Sequence, residues 1–129
     1  MHGTRIFTAS PWEEKAGFAR AVVVDDWIFV SGTTGADPET RQFPDDAESQ
    51  CENCFKTIAK VLEEAGSSLA DIVKVLIFVS SEEKFERIVS IIRKHTYAAR
   101  PANTTVFAQM VKPHMHVEIE VTAKKSIRK

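Results

Sequence analysis

The sequence predicts an α+β fold in which two helices cover one face of a β-sheet. Two segments repeat apolar residues at helical spacing, and the strand segment between them is apolar on nearly both faces. The last strand segment alternates strictly between apolar and polar residues. The order along the chain is a run of strands, a helix, a strand, a helix and two strands, which is typical of this fold class.

The first strands lie in the segment RAVVVDDWIFVSG. We predict two short strands joined by a tight turn at Asp25 and Asp26. The segment that follows, from Gly32 to Pro44, is rich in Gly, Pro, Thr and Asp, and is therefore predicted to be a loop.

The first helix is predicted to begin at Asp45 as its N-cap, with Glu48 three residues later completing a capping box. Gly66 is a suitable residue for its C-terminal stop. The apolar stripe of this helix comprises Cys51, Cys54, Phe55, Ile58, Val61, Leu62 and Ala65.

The second helix is predicted to begin with a capping box formed by Ser80 and Glu83. Pro101 restricts the residue before it and marks the far limit of this helix. The predicted apolar stripe consists of Phe85, Ile88, Val89 and Ile92.

The two closing strands are predicted at about residues 104–110 and 115–123, with a turn at Lys112 and Pro113. The helices cover one face of the sheet, yet the strand DIVKVLIFVS is apolar on both sides. We therefore expect the second face to be buried against another copy of the chain.

Composition predicts a single domain spanning residues 1–129, with a basic tail at about residues 124–129. A formal net charge of −1 does not favour nucleic-acid binding, which usually goes with a basic patch. The N-terminal residues show no apolar signal region, and no apolar run approaches the length of a membrane span. We expect a cytoplasmic protein whose two cysteines are thiols.

Two residue groups could carry chemistry but have simpler interpretations. Cys51 and Cys54 form a CxxC, yet both lie on the apolar stripe, so we interpret them as core residues. Metal ligands can alternate on one strand face, but same-face neighbours are about 7 Å apart, so one ion could use two at most. We therefore favour a polar interface over a metal site for the alternating residues His114, His116, Glu118 and Glu120.

Three segments together carry a resemblance to a known family. They are WIFVSGTTG, SLADIVKVLIFVSSEEKFERI and RPANTTVFAQMVKPHMHVEIEVTA. The sequence resembles the reactive intermediate deaminase family, also called Rid or YjgF, over nearly its whole length. The resemblance implies a mixed sheet of about six strands, similar to chorismate mutase, and a homotrimer with clefts between subunits.

The resemblance also implies an activity and a site. Active members hydrolyse imines or enamines of 2-oxo acids, such as 2-aminoacrylate, and an arginine pairs with the substrate carboxylate. The sequence keeps the family residues at Ser31, Gly32 and Glu118. It departs from the family pattern at Asn103 in place of the arginine, Phe18 in place of a tyrosine, Thr105 in place of a cysteine and Val89 in place of an asparagine.

The missing arginine makes an ordinary 2-imino acid a poor fit. Each hydrogen bond to a charged group contributes about 1.5–3 kcal/mol, so losing a bidentate pair costs several kcal/mol. Arg100 lies at an odd offset from Asn103, and such an offset on a strand points to the other face. Asn103 itself has an alternative interpretation, in which its side chain satisfies backbone groups at the start of the strand.

We therefore predict a small-molecule hydrolase with an atypical, neutral or differently charged substrate and no cofactor. Glu118 would position water or the leaving group, the Ser31 and Gly32 region would offer donors, and Asn103, Thr104 and Thr105 would contact the ligand, together with Phe18 and Val89. Three alternatives remain open. They are a non-catalytic metabolite-binding or regulatory trimer, an endoribonuclease, and a metal enzyme that uses His114 or His116. Residues 10–18 could fold over the cleft.

Overall fold

The computed structural model of the chain describes residues 1–126. Within them a single six-stranded mixed sheet carries two long helices, which confirms the predicted fold class. The elements are β1 (Thr4–Ile6), α1 (Pro11–Ala16), β2 (Ala21–Val24), β3 (Trp27–Thr34), α2 (Ala47–Glu64), a 3₁₀ turn (Leu69–Asp71), β4 (Ile72–Val79), α3 (Glu82–Thr96), β5 (Ala102–Phe107) and β6 (Val117–Lys124). The predicted basic tail is described only as far as Ser126, and its last three residues lie outside the described part.

The strands follow the order β1-β2-β3-β6-β4-β5 across the sheet. All neighbouring pairs are antiparallel except β4 and β5, which α3 connects as a parallel crossover. The chain therefore returns through β6 to the middle of the sheet and leaves β5 at one edge. The hairpin of β2 and β3 turns at Asp25 and Asp26 as predicted, with Asp25 in the left-handed conformation. Strand β1 and helix α1 have no counterpart among the predicted elements.

Both long helices begin one residue later than predicted. The N-cap of α2 is Asp46 and not Asp45, and its carboxylate accepts a hydrogen bond from the backbone N–H of Ser49 at 2.8 Å. The N-cap of α3 is Ser81 and not Ser80, since its hydroxyl accepts from the N–H of Lys84. Each site offers two adjacent capping residues, and the path of the preceding chain decides which of them takes the cap conformation.

The predicted stripe of α2 is buried over its whole length, so this helix supplies most of the helical side of the core. The stripe of α3 differs from the prediction at one residue. Ile88 and Ile92 are buried, but Val89 is 46% exposed, and Ile91 packs partly against the core in its place. Successive helix residues are rotated by about 100°, so Val89 is carried past the buried edge of a helix that has only one covered side.

The segment between β5 and β6 leaves the sheet, so β5 ends at Phe107 and β6 begins at Val117, whereas the sequence predicted strands to about residue 110 and from 115. A buried side chain of α2 holds this segment. The amide nitrogen of Gln50 donates to the carbonyl oxygen of His114 at 2.8 Å, and its amide oxygen accepts from the N–H of His116 at 2.8 Å. The helix therefore sets where β6 enters the sheet.

The face of the sheet opposite the helices, which we call the open face, carries exposed apolar side chains. Trp27, Phe29 and Val106 are 39%, 47% and 40% exposed there. They flank the polar residues of β6, whose other side chains are buried beneath the helices. This distribution is the one expected if a second copy covers the open face.

Candidate active site

The site begins at an irregularity in β3. Val30 pairs with Val121, and Thr33 pairs with Ile119. Two residues of β3, Ser31 and Gly32, therefore lie opposite a single residue of β6, Glu120. This is a β-bulge, a feature that re-aims side chains and is frequent beside active sites. It places the two residues named by the SGTTG motif directly beside the polar face of β6.

Glu118 of β6 lies against the bulge. A β-carbon added to Gly32 would be 2.0 Å from the Oε2 atom of Glu118, so only glycine leaves room for this carboxylate. The structure therefore brings together Gly32 and Glu118, two predicted site residues that are far apart in the chain.

The environment of Glu118 changes its ionisation. Burial raises the pKa of this carboxyl above its ordinary value, and the negative charge of Glu120 raises it further. The guanidinium of Arg20 acts in the opposite direction and does not cancel the effect of burial. Glu118 is consequently a carboxyl that gains and loses a proton closer to neutral pH than an exposed glutamate does.

Arg20 and Glu13 form a buried ion pair beside the bulge, which the sequence prediction missed. The Nε atom of Arg20 is 3.2 Å from Oε2 of Glu13, and Nη1 donates to the carbonyl oxygen of Gly32 at 2.8 Å. The N–H of Thr8 donates to the same glutamate at 3.0 Å. No local pattern marks either residue, because α1 and the start of β2 meet only in the folded chain.

Ser31 and Phe18 lie in the same region. The hydroxyl of Ser31 donates to the carbonyl oxygen of Ala19 at 2.7 Å, and the backbone N–H of Ser31 donates to the carbonyl oxygen of Arg20 at 2.8 Å. The side chain of Ser31 thus ties the bulge to the chain entering β2. The ring of Phe18 lies 5.4 Å from the guanidinium carbon of Arg20, at the same end of the site.

The other predicted ligand contacts lie on β5 and α3. The hydroxyl of Thr105 donates to Oδ1 of Asn103 at 2.9 Å, so this asparagine bonds a neighbouring side chain and leaves its NH₂ group directed elsewhere. Thr104 points to the opposite side of β5, and Val89 is exposed on α3. Arg100 precedes the strand, and its guanidinium carbon lies 5.1 Å from the centre of the Tyr97 ring.

A single protomer does not join these two groups of residues. Glu118 is opposite Phe78 of β4, whereas Asn103 is opposite Val75 of the same strand. Two strand spacings across and three residues along the sheet separate their Cα atoms by about 14 Å. We call the residues around the bulge (Phe18, Ser31, Gly32 and Glu118) the β6 half-site, and those of β5 and α3 (Val89, Asn103, Thr104 and Thr105) the β5 half-site.

The two cysteines are confirmed as core residues. Both thiols are buried, and burial raises the pKa of Cys51 to about 12 and that of Cys54 well above its ordinary value. A thiol in this state is a poor nucleophile and a poor metal ligand. The Sγ atom of Cys54 donates to the carbonyl oxygen of Thr33 at 3.3 Å, so it packs α2 against β3.

The histidines ahead of β6 have structural partners. Nδ1 of His116 is 3.0 Å from the ammonium of Lys84, and its Nε2 is 2.8 Å from the carbonyl oxygen of Asp45. The ring of His114 packs edge-on against Phe43. Among residues 1–126 no three His, Cys, Asp or Glu side chains are close enough to hold a metal ion together.

None of the helices within residues 1–126 combines the length and the hydrophobicity needed to cross a membrane.

Comparison with known proteins gives a consistent assignment. The family model described as Endoribonuclease L-PSP matches residues 8–125. A RutC family protein from Aquifex aeolicus is 33% identical over 84% of this chain and 88% of its own length. A member of the YjgF/YER057c/UK114 family from Mycobacterium tuberculosis superposes with a TM-score of 0.85 at 28% identity, covering 94% of this chain and 98% of that one. RidA from the bacterium Psychrobacter sp. PAMC 21119 gives a TM-score of 0.78 at 28% identity, with coverage of 83% and 87%.

Proposed function

This chain belongs to the endoribonuclease L-PSP family, which includes the YjgF and RutC proteins, and on that premise we propose that it hydrolyses a small imine in clefts between subunits. The observation that carries the proposal is the position of Glu118. Its carboxylate lies against Gly32 in the bulge, and burial raises its pKa. A carboxylate whose pKa is raised accepts a proton more readily than an exposed glutamate does, which suits a general base.

The reaction needs one proton acceptor and one proton donor. Water adds to the imine carbon while ionised Glu118 accepts a proton from it and passes that proton to the imine nitrogen, which gives a neutral carbinolamine and restores the carboxylate. The carboxylate then accepts the proton of the carbinolamine hydroxyl and passes it to the amino nitrogen. The carbon–nitrogen bond breaks, and ammonia and a carbonyl compound leave. A single carboxyl in the two protonation states suffices for the whole sequence.

The cleft is proposed to form between neighbouring copies of a homotrimer. The two half-sites are separated within one protomer, and the open face between them carries exposed apolar side chains, including Phe29 and Val106. Packing the open faces around an axis would bury those side chains and would bring the β6 half-site of one copy to the β5 half-site of the next. This arrangement accounts for both features at once.

The proposed substrate carries a neutral hydrogen-bond acceptor where typical family substrates carry a carboxylate. Asn103 is uncharged, and its Oδ1 atom already accepts a hydrogen bond from Thr105. The amide therefore presents N–H donors to a ligand, which suits a carbonyl oxygen. Arg20 does not replace the missing arginine on β5, because Glu13 and the carbonyl oxygen of Gly32 hold its guanidinium beside the bulge of β3.

The substrate and the role of Glu118 are tested with two imines that differ in one group. Alanine and alaninamide are oxidised in the assay mixture, which gives one imine that carries a carboxylate and one that carries a carboxamide. Semicarbazide then traps the imine that the protein has not hydrolysed. We expect wild-type protein to reduce the trapped carboxamide imine more than the carboxylate imine. Glu118→Gln should lower this activity by about 10²–10⁴-fold, which is the usual contribution of general acid–base catalysis.

Glu120→Gln is the matched control, since Glu120 lies two residues along the same strand face. Its charge contributes least to the raised pKa of Glu118, so this variant should retain most of the activity. Asn103→Arg should shift the preference toward the carboxylate imine. Full activity of Glu118→Gln would overturn the proposed role of this residue. If wild-type protein accelerates neither imine, the proposed hydrolysis fails in favour of a non-catalytic binding protein.

The shared cleft is tested by mixing two inactive variants. Glu118→Gln removes the β6 half-site, and Asn103→Trp blocks the β5 half-site. Unfolding and refolding an equal mixture should restore activity, with about one quarter of the clefts intact if subunits assort randomly in a ring. Light scattering of the wild-type protein should give three chain masses. A mixture that remains inactive would show that the site lies within one protomer.

The name of the matching family model keeps ribonuclease activity as a second candidate. The net charge of −1 gives it little support, because RNA-binding surfaces are usually basic. Incubation of wild-type protein and Glu118→Gln with a single-stranded RNA distinguishes the two. Cleavage that is lost with Glu118 would favour the ribonuclease, and absence of cleavage would exclude it for that RNA.

A further inference from the structure

The structure contains a cavity of about 540 Å³ that belongs to neither half-site. It lies between α2, the loop after β3 and the chain segment of residues 7–12, which we call the N-terminal strap. We propose that this cavity binds a small carboxylate with an apolar body, independently of the hydrolysis proposed above.

The cavity exists because the two long helices cover only part of the sheet. Helix α2 packs on β3 and β6, and α3 packs on β4, whereas β1 and β2 have no long helix above them. The N-terminal strap passes over this gap. It is fastened at Thr8, whose N–H donates to Glu13 and whose carbonyl oxygen accepts from Arg41 at 2.8 Å. The N-terminal strap therefore covers part of the space beneath it.

Large apolar side chains form one side of the cavity. Phe7 and Trp12 from the strap line it together with Phe43 and Met115, and Phe7 and Trp12 are 62% and 45% exposed. Aromatic rings left this exposed around a cavity of this size are typical of a binding site for a ligand with an apolar body. An occupant would cover them and contribute favourable burial.

A buried guanidinium supplies the polar contact. The side chain of Arg20 lines the cavity and is only 9% exposed. Its Nε and Nη1 atoms donate to Glu13 and to the carbonyl oxygen of Gly32, but Nη2 donates to no residue within the described range 1–126. A guanidinium nitrogen with donors left over at the wall of a cavity favours an acceptor on the ligand, and a carboxylate is the strongest such acceptor.

Besides Arg20 and Arg41, three charged side chains lie in the cavity wall and affect its affinity for a carboxylate. Lys60 and Glu64 lie one turn apart on α2 and form no ion pair with each other or with any other residue from 1 to 126. The other carboxylate of the wall, Asp37, is already occupied, since it accepts from the N–H groups of Glu39 and Thr40. Lys60 should therefore attract a bound carboxylate, and Glu64 should oppose it.

The probes for the test are 3-phenylpropionate and its amide, which share the apolar body and the size but differ in charge and in having a donating NH₂ group. Trp12 reports occupancy by fluorescence in a Trp27→Phe background, because the chain has two tryptophans and Trp27 lies on the distant open face. We expect a saturable change with the carboxylate and at least about ten-fold weaker binding of the amide, which corresponds to about 1.4 kcal/mol.

Two exposed positions of α2 provide a matched pair of variants. Lys60→Gln should weaken binding of the carboxylate by about two- to five-fold, and Glu64→Gln should tighten it by a similar factor. Asn103→Trp, which blocks the proposed β5 half-site, should leave binding unchanged, which separates this cavity from the proposed active site. Equal binding of the amide, no saturation up to about 10 mM, or the same effect from both α2 variants would overturn the proposal.

Discussion

At the bulge of β3, the carboxylate of Glu118 fills the space that a side chain at Gly32 would need. A β-carbon on Gly32 would lie 2.0 Å from Oε2 and 3.0 Å from Cδ of Glu118, both atoms at the far end of a flexible side chain. The absence of a side chain at residue 32 thus determines where the carboxylate of residue 118 can lie. This relationship leads to the first prediction.

Gly32→Ala should displace the Glu118 carboxylate with a modest loss of stability, because the obstructing atoms can move. We expect the loss to be about 1 kcal/mol, at the lower end for overpacking, while any hydrolytic activity falls as strongly as in Glu118→Gln. Chemical denaturation and the imine assay measure the two effects separately.

Gly35→Ala is the matched control for this prediction. There an added β-carbon would be 2.6 Å from the Cα of Gln50, which is backbone of α2 and cannot move alone. We expect Gly35→Ala to cost more stability than Gly32→Ala. The opposite ranking would mean that the carboxylate of Glu118 is held more rigidly than the geometry indicates.

Glu118→Gln should stabilise the protein at neutral pH. Burial raises the pKa of Glu118 in the folded state, so its contribution to stability is fully present below the unfolded value near 4.5 and is lost as pH rises through the folded pKa. Glutamine carries no such charge. The gain should stay below about 1 kcal/mol, because the side chain is partly exposed to solvent.

Thermal unfolding at a series of pH values checks this prediction. The difference between wild type and Glu118→Gln should be largest at neutral pH and should shrink toward pH 4. Glu63→Gln, at an exposed position of α2, should show no such trend. A variant that is less stable than wild type at neutral pH would indicate that Glu118 has a stabilising charged partner.

Breaking the Arg20–Glu13 pair should destabilise the fold substantially. The side chains are 9% and 4% exposed, so Glu13→Gln leaves a buried guanidinium without its counter-ion. Removal of one partner of a buried pair typically costs about 3–5 kcal/mol. Denaturant unfolding measures the loss.

The exposed pair of Arg87 and Glu83 on α3 is the control, at 2.7 Å with both side chains more than half exposed. Glu83→Gln should cost less than about 0.5 kcal/mol, as is usual for a surface pair one helical turn apart. Similar losses in the two variants would show that burial of the Arg20–Glu13 pair does not determine its contribution.

The native protein should resist thiol reagents. Burial raises the pKa of Cys51 to about 12, so almost none of it is thiolate at pH 8, and Cys54 is buried completely. A chromogenic disulfide reagent should react with both thiols only after denaturation. Ser90→Cys, at an exposed position of α3, should add one thiol that reacts at once. Labelling of native wild type at the rate of that added thiol would contradict the burial of this CxxC.

Much of the fold was predictable because helical and strand periodicity are local. The stripe of α2 from Cys51 to Leu62 is buried as its spacing indicated, and the alternation of β6 separates a buried from an open face. Errors of one residue occurred where neighbours had equal capping ability, as at Asp45 and Asp46. Val89 was misplaced because periodicity alone does not give the width of the covered side of a helix.

The candidate site was less predictable. The family resemblance identified Ser31, Gly32 and Glu118, which the structure brings to one bulge, but no pattern indicated that Glu13 and Arg20 stand behind it. Both residues are charged, and the neighbouring sequence alone predicts that charged residues lie on the surface. Only the packing of α1 against the start of β2 buries them as a pair.

The sequence by itself determined which residues face the core, where the helices run and that the usual arginine is replaced by Asn103. Tertiary structure alone decided the strand order, the bulge, the ion pair and the separation of the site into two halves. The physical reason is the distance along the chain over which each kind of interaction acts. Side-chain periodicity and capping depend on neighbours within a turn or two. The contact between Gly32 and Glu118, in contrast, depends on the register of two strands that meet only when the whole sheet has formed.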